Sequence, residues 1–527
     1  MGVLAIFAVT VYTISLLYIT VYCVLQFNLL YNYKKDNPMP GDSEAEAILE
    51  EAAVGSRRLN SRKLVAAGDV ENGSVEESFE AWPMVTVQLP IFNEYYVIER
   101  LIDAVAAFDY PRDRFEIHIL DDSNDETVEV VANKVAELKA QGYNIEQIQR
   151  EKRQGFKAGA LKDGTKVANG EFLAIFDADF VPEPDFLRRT IPHFNDPSVG
   201  VVQTRWEHIN RDYSLITKLQ ALQLNVHFTV EQVGRMKGGH LLQFNGTAGI
   251  WRKKAVEAGG GWEADTLTED LDLSIRTQLA GYRIKFLEQV GSPAELPVEM
   301  NSFKSQQHRW MKGGAETCRK MLPSVWNSDL AFGHKVHATS HLMGSTIFLF
   351  VFVCGVFSVP VLLLFGELVD MGFSKNFFAI FLIGLLSIIA IYYTANVQSP
   401  ANQDKNFLRS FFRFLYLFPL FLALSMGLAL HNTVAVIEGY RGKKSPFVRT
   451  PKFNINSIRD KIKTSKYLTG KLNWITIGEG LLAIYFLAAV GAAFYLQNTT
   501  FIIFHGLLAL GYGTIFYYSV RHLGIGK

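Results

Sequence analysis

Cysteine is scarce: the 527 residues hold three, Cys23, Cys318 and Cys354, and none forms a CxxC pair. A disulfide framework and a cysteine zinc site are both excluded as organising features. The twelve histidines form no HExxH, so a histidine metal site of that kind is not expected. Net charge is absent as well, with 52 basic residues against 52 acidic ones. Bulk electrostatics therefore gives no case for nucleic acid as a partner. There is no GxxxxGK[ST] and no strand-linked GxGxxG, which argues against a P-loop NTPase and a Rossmann dehydrogenase. What the chain has in plenty is apolar residues, 49% of the total, alongside 20% charged ones. That mixture suits neither an ordinary soluble enzyme nor a bare membrane bundle, and a soluble domain joined to membrane helices is expected.

Residues 3–27 carry no charge and reach roughly 37 Å as a helix, enough to span a bilayer. No basic residues precede the run and no small-residue cleavage site closes it, so it reads as an anchor rather than a cleaved signal. Lys34 and Lys35 follow, which places the next segment in the cytosol. Residues 40–81 are polar, acid-rich and Gly/Ser-containing, a linker with one helix around Glu44–Ala53. From Trp82 the text changes to short apolar runs, "MVTVQLP", "FEIHILDD" and "EFLAIFDADF", separated by helical patterns over Glu94–Phe108 and Glu126–Gly142. This βαβ rhythm predicts an α/β domain with a mostly parallel sheet, whose ligands bind beyond the carboxyl ends of the strands.

After residue 340, His341–Phe365, Phe377–Val397, Ile475–Leu496 and Phe501–Tyr518 read as membrane spans. Phe407–Ile437 is equally apolar but holds Arg409, Arg413 and Pro419, and the stretch from Arg441 to Lys471 carries ten basic residues. Six spans from an outside N-terminus would put that basic loop outside. Five spans and an interfacial or re-entrant helix put it inside, in accord with the positive-inside rule. The expected organisation is an N-terminal membrane helix (1–33), a cytosolic linker (34–81), a catalytic domain (82–303), amphipathic interface helices (304–340), two membrane helices (341–397), an interfacial helix (398–440), a basic cytosolic segment (441–473), two further membrane helices (474–520) and a cytosolic tail (521–527).

Polar residues gather at the strand ends. "LPIFNE" supplies Pro90, Asn93 and Glu94, and "LDDSNDET" supplies Asp121 and Asp122. "KRQGFKAGALKDG" places Lys157 among small residues, where a backbone approaches an anion closely. "AIFDADF" ends an apolar run with Asp177 and Asp179, which a strand would set side by side on one face. Two such acids repel unless a cation lies between them. Acids, a lysine and glycines at successive strand ends suit a nucleoside diphosphate bound through Mg2+ or Mn2+. Each cluster alone also fits an ordinary cap or turn. In "LTEDLDLSIRTQ", Thr268 and Glu269 serve as helix cap and dipole partner, or Asp270 serves as a general base. "FKSQQHRWMKGG" puts Gln306, Arg309 and Trp310 on one helix face, suited to a phosphate and a sugar ring or to a membrane surface.

The series D,D…DxD…TED…QxxRW resembles the processive family 2 glycosyltransferases, the cellulose, hyaluronan, chitin and mannan synthases, from "VQLPIFNE" to "QQHRW". "GFKAGALKDG", "IFDADFVPEPDFLRRTIPHF", "HFTVEQ" and "FNGTAGIWR" are similar to the plant cellulose synthase-like A and C proteins, which make mannan and glucan backbones. The resemblance implies a GT-A catalytic domain on the cytosolic side of a membrane. Pro90, Asn93, Glu94, Asp121 and Asp122 would then hold the nucleoside, and Lys157, Gln306 and Arg309 the diphosphate. Asp177 and Asp179 would hold Mg2+ or Mn2+, Asp270 would be the catalytic base, and Trp310 with Glu269 would meet the acceptor. "FVRTPK" resembles a gating loop through Phe447, Val448, Thr450 and Lys452, with Arg449 and Pro451 departing from the pattern. No PilZ-type domain is expected after the last span. The implied activity is inverting, processive synthesis of a β-1,4-linked glycan from GDP-mannose or UDP-glucose, with secretion through the enzyme's own helices. The alternative is a single-addition enzyme that makes a glycolipid, and a transporter or catalytically inactive subunit is the reading from another class. The expected partners are the sugar nucleotide, the growing glycan and the bilayer, in a bacterial plasma membrane rather than a Golgi membrane.

Overall fold

The structure is a computed structural model and describes residues 2–35, 82–374, 377–402, 406–444, 452–455 and 472–523. The expected linker, and Phe447, Val448 and Thr450 of the gating-loop-like segment, lie outside the described residues.

Seven strands form one mixed sheet in the order β3-β2-β1-β4-β6-β5-β7. The central strand β1 (Val85–Ile91) pairs parallel with β2 (Phe115–Asp121) and with β4 (Phe172–Ile175), and β3 (Ile145–Gln149) extends the parallel half beyond β2. In the other half, β6 (Gly249–Arg252) runs antiparallel to both β4 and β5 (Val199–His208), and β7 (Arg283–Ala294) is parallel to β5. Val85, Val87, Leu89, Ile117, Ile119, Leu173 and Ile175 are buried, as continuous apolar strands between two helical layers require. The crossover helices are α1 (Ile98–Ala106), α2 (Thr127–Ala140) and α3 (Phe156–Val167). All three parallel strands point their carboxyl ends the same way, so Ile91, Asp121 and Ile175 open onto a common edge. The structure corrects one detail of the reading. β4 stops at Ile175, and Asp177 and Asp179 lie in the turn that follows rather than on a strand face. Phe176, just past the strand, is buried against Phe108 and Phe186.

Among the described residues, six helices are long and apolar enough to cross a membrane: Gly2–Lys34, Gly344–Leu363, Phe377–Gln398, Phe407–Gly427, Trp474–Tyr495 and Ile502–His522. The chain is thus built as a multi-pass membrane protein. By length and composition Phe407–Gly427 stands with the others, and the expected 407–437 helix breaks at Leu428 into α6 (Phe407–Gly427) and α7 (Ala429–Tyr440), given that α4 (Glu269–Leu279) and α5 (Met300–Asn327) precede them. The helices Trp474–Tyr495 and Ile502–His522 follow as α8 and α9.

Two contacts join the layers. A Cβ on Gly511 of α9 would lie 1.9 Å from the Ala423 carbonyl oxygen of α6, and one on Gly427 would lie 2.4 Å from the Gly511 backbone. The two helices therefore meet backbone to backbone, the packing that small residues permit in membranes. Inside the helical layer, Lys304 of α5 donates to Glu479 of α8 at 2.7 Å, both side chains being buried. Gly511→Val is expected to force α6 and α9 apart and to cost about 1–3 kcal/mol. Thermal unfolding of the detergent-solubilised protein would show it, and an unchanged midpoint would contradict the close crossing.

Candidate active site

The first wall of the site is a pair of laced loops. Asn93 sits at φ 56°, a left-handed conformation that asparagine tolerates better than most residues. Its amide nitrogen donates to Asn124 Oδ1 at 3.0 Å, its Oδ1 accepts from the Asn124 N–H at 3.0 Å, and its own N–H donates to Ser123 Oγ at 2.9 Å. The loops after β1 and β2 are thereby closed on each other. Asp121 is turned inward, accepting from the Ser123 N–H at 2.9 Å and from Gln147 at 2.8 Å. Asp122 is clasped by Arg150, whose Nε donates to Oδ1 at 2.9 Å. Arg153 lies 3.4 Å over the Phe92 ring. Pro90 remains within β1 and Glu94 lies between it and α1. The sequence reading missed Arg150 and Arg153. Their signal was the basic run ahead of "GFKAGA".

Lys157 comes from the first turn of α3. Its Nζ donates to Asp177 Oδ1 at 2.6 Å and to the Gly246 carbonyl at 2.9 Å. Burial pulls the ammonium pKa down, but Asp177, Glu269 and Asp270 more than offset this and leave it raised. The Asp177 N–H donates to Thr247 Oγ1 at 2.8 Å, and the Phe180 N–H donates to the Asp177 carbonyl at 3.1 Å, closing the turn that brings Asp179 round. The Asp179 carboxylate is ion-paired with Lys452. Lys452 thus belongs to the site, although it lies 273 residues from Asp179. Its neighbourhood is anchored: Phe453 N–H donates to Glu295 at 2.9 Å, and Arg100 donates to Asn454 at 2.8 Å. Both Phe453 and Ile455 are buried beside Val298.

The second wall is made by α4 and α5. Gly246 lies at φ +79°, and a Cβ there would sit 3.0 Å from Asp270 Oδ2 and 3.5 Å from Lys157 Nζ. Glycine therefore allows Asp270 and Lys157 to approach one another across the backbone. Burial first, and then the neighbouring Glu269 charge, push the Asp270 carboxyl up to about 7. Glu269 is raised as well, chiefly by burial. Thr268 does not cap α4 with its side chain; its hydroxyl instead meets Thr317 Oγ1 at 3.0 Å on α5. A Cβ on Gly313 of α5 would come within 2.6 Å of Thr268, and the Leu267 N–H donates to Glu316 at 2.8 Å. These contacts fix α5 against the start of α4. They set Arg309 in the field of Asp177, Glu269 and Asp179, although burial brings its guanidinium down to about 10. Gln306 and Trp310, half-buried, occupy the same helix.

Asp177 and Asp179 are hard oxygen donors of the type Mg2+ and Mn2+ take. Each faces a cation of the chain itself, Lys157 and Lys452 respectively. A separate acid group, Glu263, Asp265 and Asp272, converges on Lys320, whose Nζ reaches them at 2.6, 2.8 and 3.1 Å. Those acids form an ion-pair network rather than the pair read from the sequence.

Comparison with known proteins identifies the family. The profile described as "Glycosyltransferase like family 2" matches residues 83–313. Glucomannan 4-beta-mannosyltransferase 1 of Oryza sativa subsp. japonica is 44% identical over 263 residues, 49% of this chain and 50% of the relative. The chain spans about half the length of that relative and of others it matches. Against the probable glucomannan 4-beta-mannosyltransferase 11 of Arabidopsis thaliana, the identity is 34% over 82% of this chain and 95% of the relative. Among solved structures, the mannosyltransferase PcManGT from Pyrobaculum calidifontis, in complex with GDP-Man and Mn2+, is similar with a TM-score of 0.47 and 18% identity, over 81% of this chain and 100% of that one. The chain therefore belongs to the family 2 glycosyltransferases and is similar to the glucomannan 4-beta-mannosyltransferases.

Proposed function

We propose that this protein is an inverting β-1,4-mannan synthase that takes GDP-mannose and passes the growing glycan through its own helices. The observation that carries the reading is Asp270: a carboxyl raised to about 7, facing Lys157 and Asp177 across Gly246, on the helix that α5 pins in place. A base near neutrality is well matched to removing a proton from a sugar hydroxyl. The attack then comes from the face opposite the diphosphate, and one base suffices because no carboxylate acts as nucleophile. Lys157, Gln306 and Arg309 would grip the diphosphate, with the Asn93–Asn124 loops and Asp122 framing the nucleoside. Asp177 and Asp179 would hold Mg2+ or Mn2+, and a cation there neutralises charge on the departing diphosphate. Lys452 holds Asp179 from the segment that resembles a gating loop, so approach of the donor and movement of that segment would be linked.

Trp310 would carry the acceptor sugar, with Glu269 beside it. Further along α5 the bundle offers polar groups suited to a glycan. Asn432 of α7 is fully buried, and neither of its amide atoms has a hydrogen-bond partner among the described residues. His431, beside it, lies 5.9 Å ring to ring from His308 of α5. Sugar hydroxyls would satisfy such groups. α6, with Arg409 and Arg413 near its start, would lie in the membrane interface although it is long enough to cross, which would keep the basic segment after α7 on the cytosolic side. Mannose as the transferred sugar rests on similarity to mannosyltransferases.

Purified enzyme given labelled GDP-mannose and Mn2+ or Mg2+ is expected to make a high-mass product that β-mannanase digests. A chloroform-soluble product would favour the glycolipid-forming alternative, and incorporation from UDP-glucose alone would change the sugar. Asp270→Asn is expected to lower turnover about 10²–10⁴-fold while sugar-nucleotide binding persists; retained turnover would remove Asp270 from its role. Because Asp270 acts as the carboxylate, the rate should fall as pH drops through about 7. Glu269→Gln deletes a negative charge that raises this pKa, so the acid limb of the kcat/KM profile should move to lower pH. An unmoved limb would disconnect the two acids.

A further inference from the structure

Away from the catalytic edge, a small cleft with an internal volume of about 30 Å³, open to solvent, lies between α6 and the catalytic-domain helix Leu215–Val226. Arg211, Lys218, Asn225, Asn396, Ser410 and Arg413 contribute to its lining. Three cations therefore converge on a single cleft. Among the described residues Asp212 adjoins them, accepting from Arg413 at 2.8 Å and lying 3.4 Å from Arg211. Lys218 makes no ion pair with an acid among the described residues. The amides are ordered, since Asn225 donates to Asn396 Oδ1 at 2.9 Å and Asn402 donates to the Ala395 carbonyl at 3.1 Å.

The setting of the cleft identifies its ligand. α6 is two-sided. Ser410, Phe414 and Leu417 turn toward the cleft and the helix Leu215–Val226. Leu408, Phe412, Leu415 and Tyr416 stand exposed on another face at helical spacing. An aqueous surface would not favour such a row of apolar side chains, whereas a bilayer would cover it. Cations and amides thus sit directly beside a lipid-facing stripe. A molecule that satisfies both has an anionic head and acyl chains.

We propose that this cleft binds the phosphate headgroup of an anionic phospholipid, with Lys218 as the principal cation and the acyl chains lying along Leu408, Phe412 and Leu415. The inference rests on the interfacial placement of α6 and is independent of which sugar the enzyme transfers. Basic pockets on the cytosolic side of membrane helices hold lipid headgroups for the same electrostatic reason, each near-surface cation contributing about 1 kcal/mol. The bound lipid would bridge α6 to the catalytic domain.

The test uses the full-length protein, purified in detergent and stripped of lipid, then incubated with phosphatidylglycerol or phosphatidylcholine and read by native mass spectrometry. One phosphatidylglycerol is expected to be retained in preference to phosphatidylcholine. Lys218→Gln should reduce its occupancy about fivefold, Lys218→Arg should restore it, and Lys254→Gln, on an exposed surface of the catalytic domain, should leave it unchanged. Equal retention of phosphatidylcholine would show that only the apolar face binds and would overturn the proposal. Displacement of the lipid by excess inorganic phosphate would mark a site for a soluble anion and also overturn it. So would wild-type binding by a folded Lys218→Gln protein. Each of these outcomes leaves the glycan-synthesis assay, and hence the proposed activity, separately readable.

Discussion

One buried ammonium balances the site. Lys157 touches Asp177 and lies in the field of Glu269 and Asp270. Without it, the acids at the strand ends and at the start of α4 would confront one another in a poorly solvated corner. Unit charges about 4 Å apart interact by about 4 kcal/mol at an effective dielectric of 20, whereas one pKa unit corresponds to about 1.4 kcal/mol. Electrostatic arrangement at this range is therefore strong enough to govern protonation. Asp177 receives the lysine directly. Asp270 shares it at greater remove, while burial and Glu269 press its pKa upward. Two acids of the same type are thus held in different environments, as the proposed separate roles in ionic binding and proton transfer would require.

The helix α5 carries this chemistry into the membrane layer. Its Gly313 lets Thr268 approach, and its Glu316 receives the Leu267 N–H. Its Lys304 is paired with Glu479 of α8, and the Lys304 carbonyl is 2.9 Å from His431 of α7. A Cβ on Gly439 of α7 would strike the Lys312 carbonyl at 2.5 Å. Catalytic domain and apolar helices therefore hold one rod between them. A shift of α7 or α8 would be felt at Arg309, since a close-packed interior transmits displacement rather than absorbing it. Breaking the Lys304–Glu479 pair by deleting one partner would strand a charge in an apolar surrounding, which makes this junction costly to disturb.

Much of the catalytic edge was legible because it obeys local rules. Apolar runs of strand length followed by acids located the ends of β1, β2 and β4, and the i, i+3, i+4 spacing placed Gln306, Arg309 and Trp310 on one helix. Other features have no local signature. The antiparallel entry of β6 depends on how the chain returns after Leu215–Val226, and nothing in "GIWR" encodes direction. The packing of Phe176 just past β4, against Phe108 and Phe186, joins residues remote in sequence or past the strand. Arg150 reads as one more surface cation until Asp122 is seen to receive it.

The sequence by itself determined the division into an α/β domain and apolar helices, and the kinds of donor at each strand end, because hydrophobic period and residue chemistry are local properties. Only the tertiary structure decided which charges meet. It brought Lys452 to Asp179, Lys157 to Asp177, and the opening at Gly246 between Lys157 and Asp270. Ion pairing and pKa depend on distance in space and on burial, and neither is written in the order of residues along a chain.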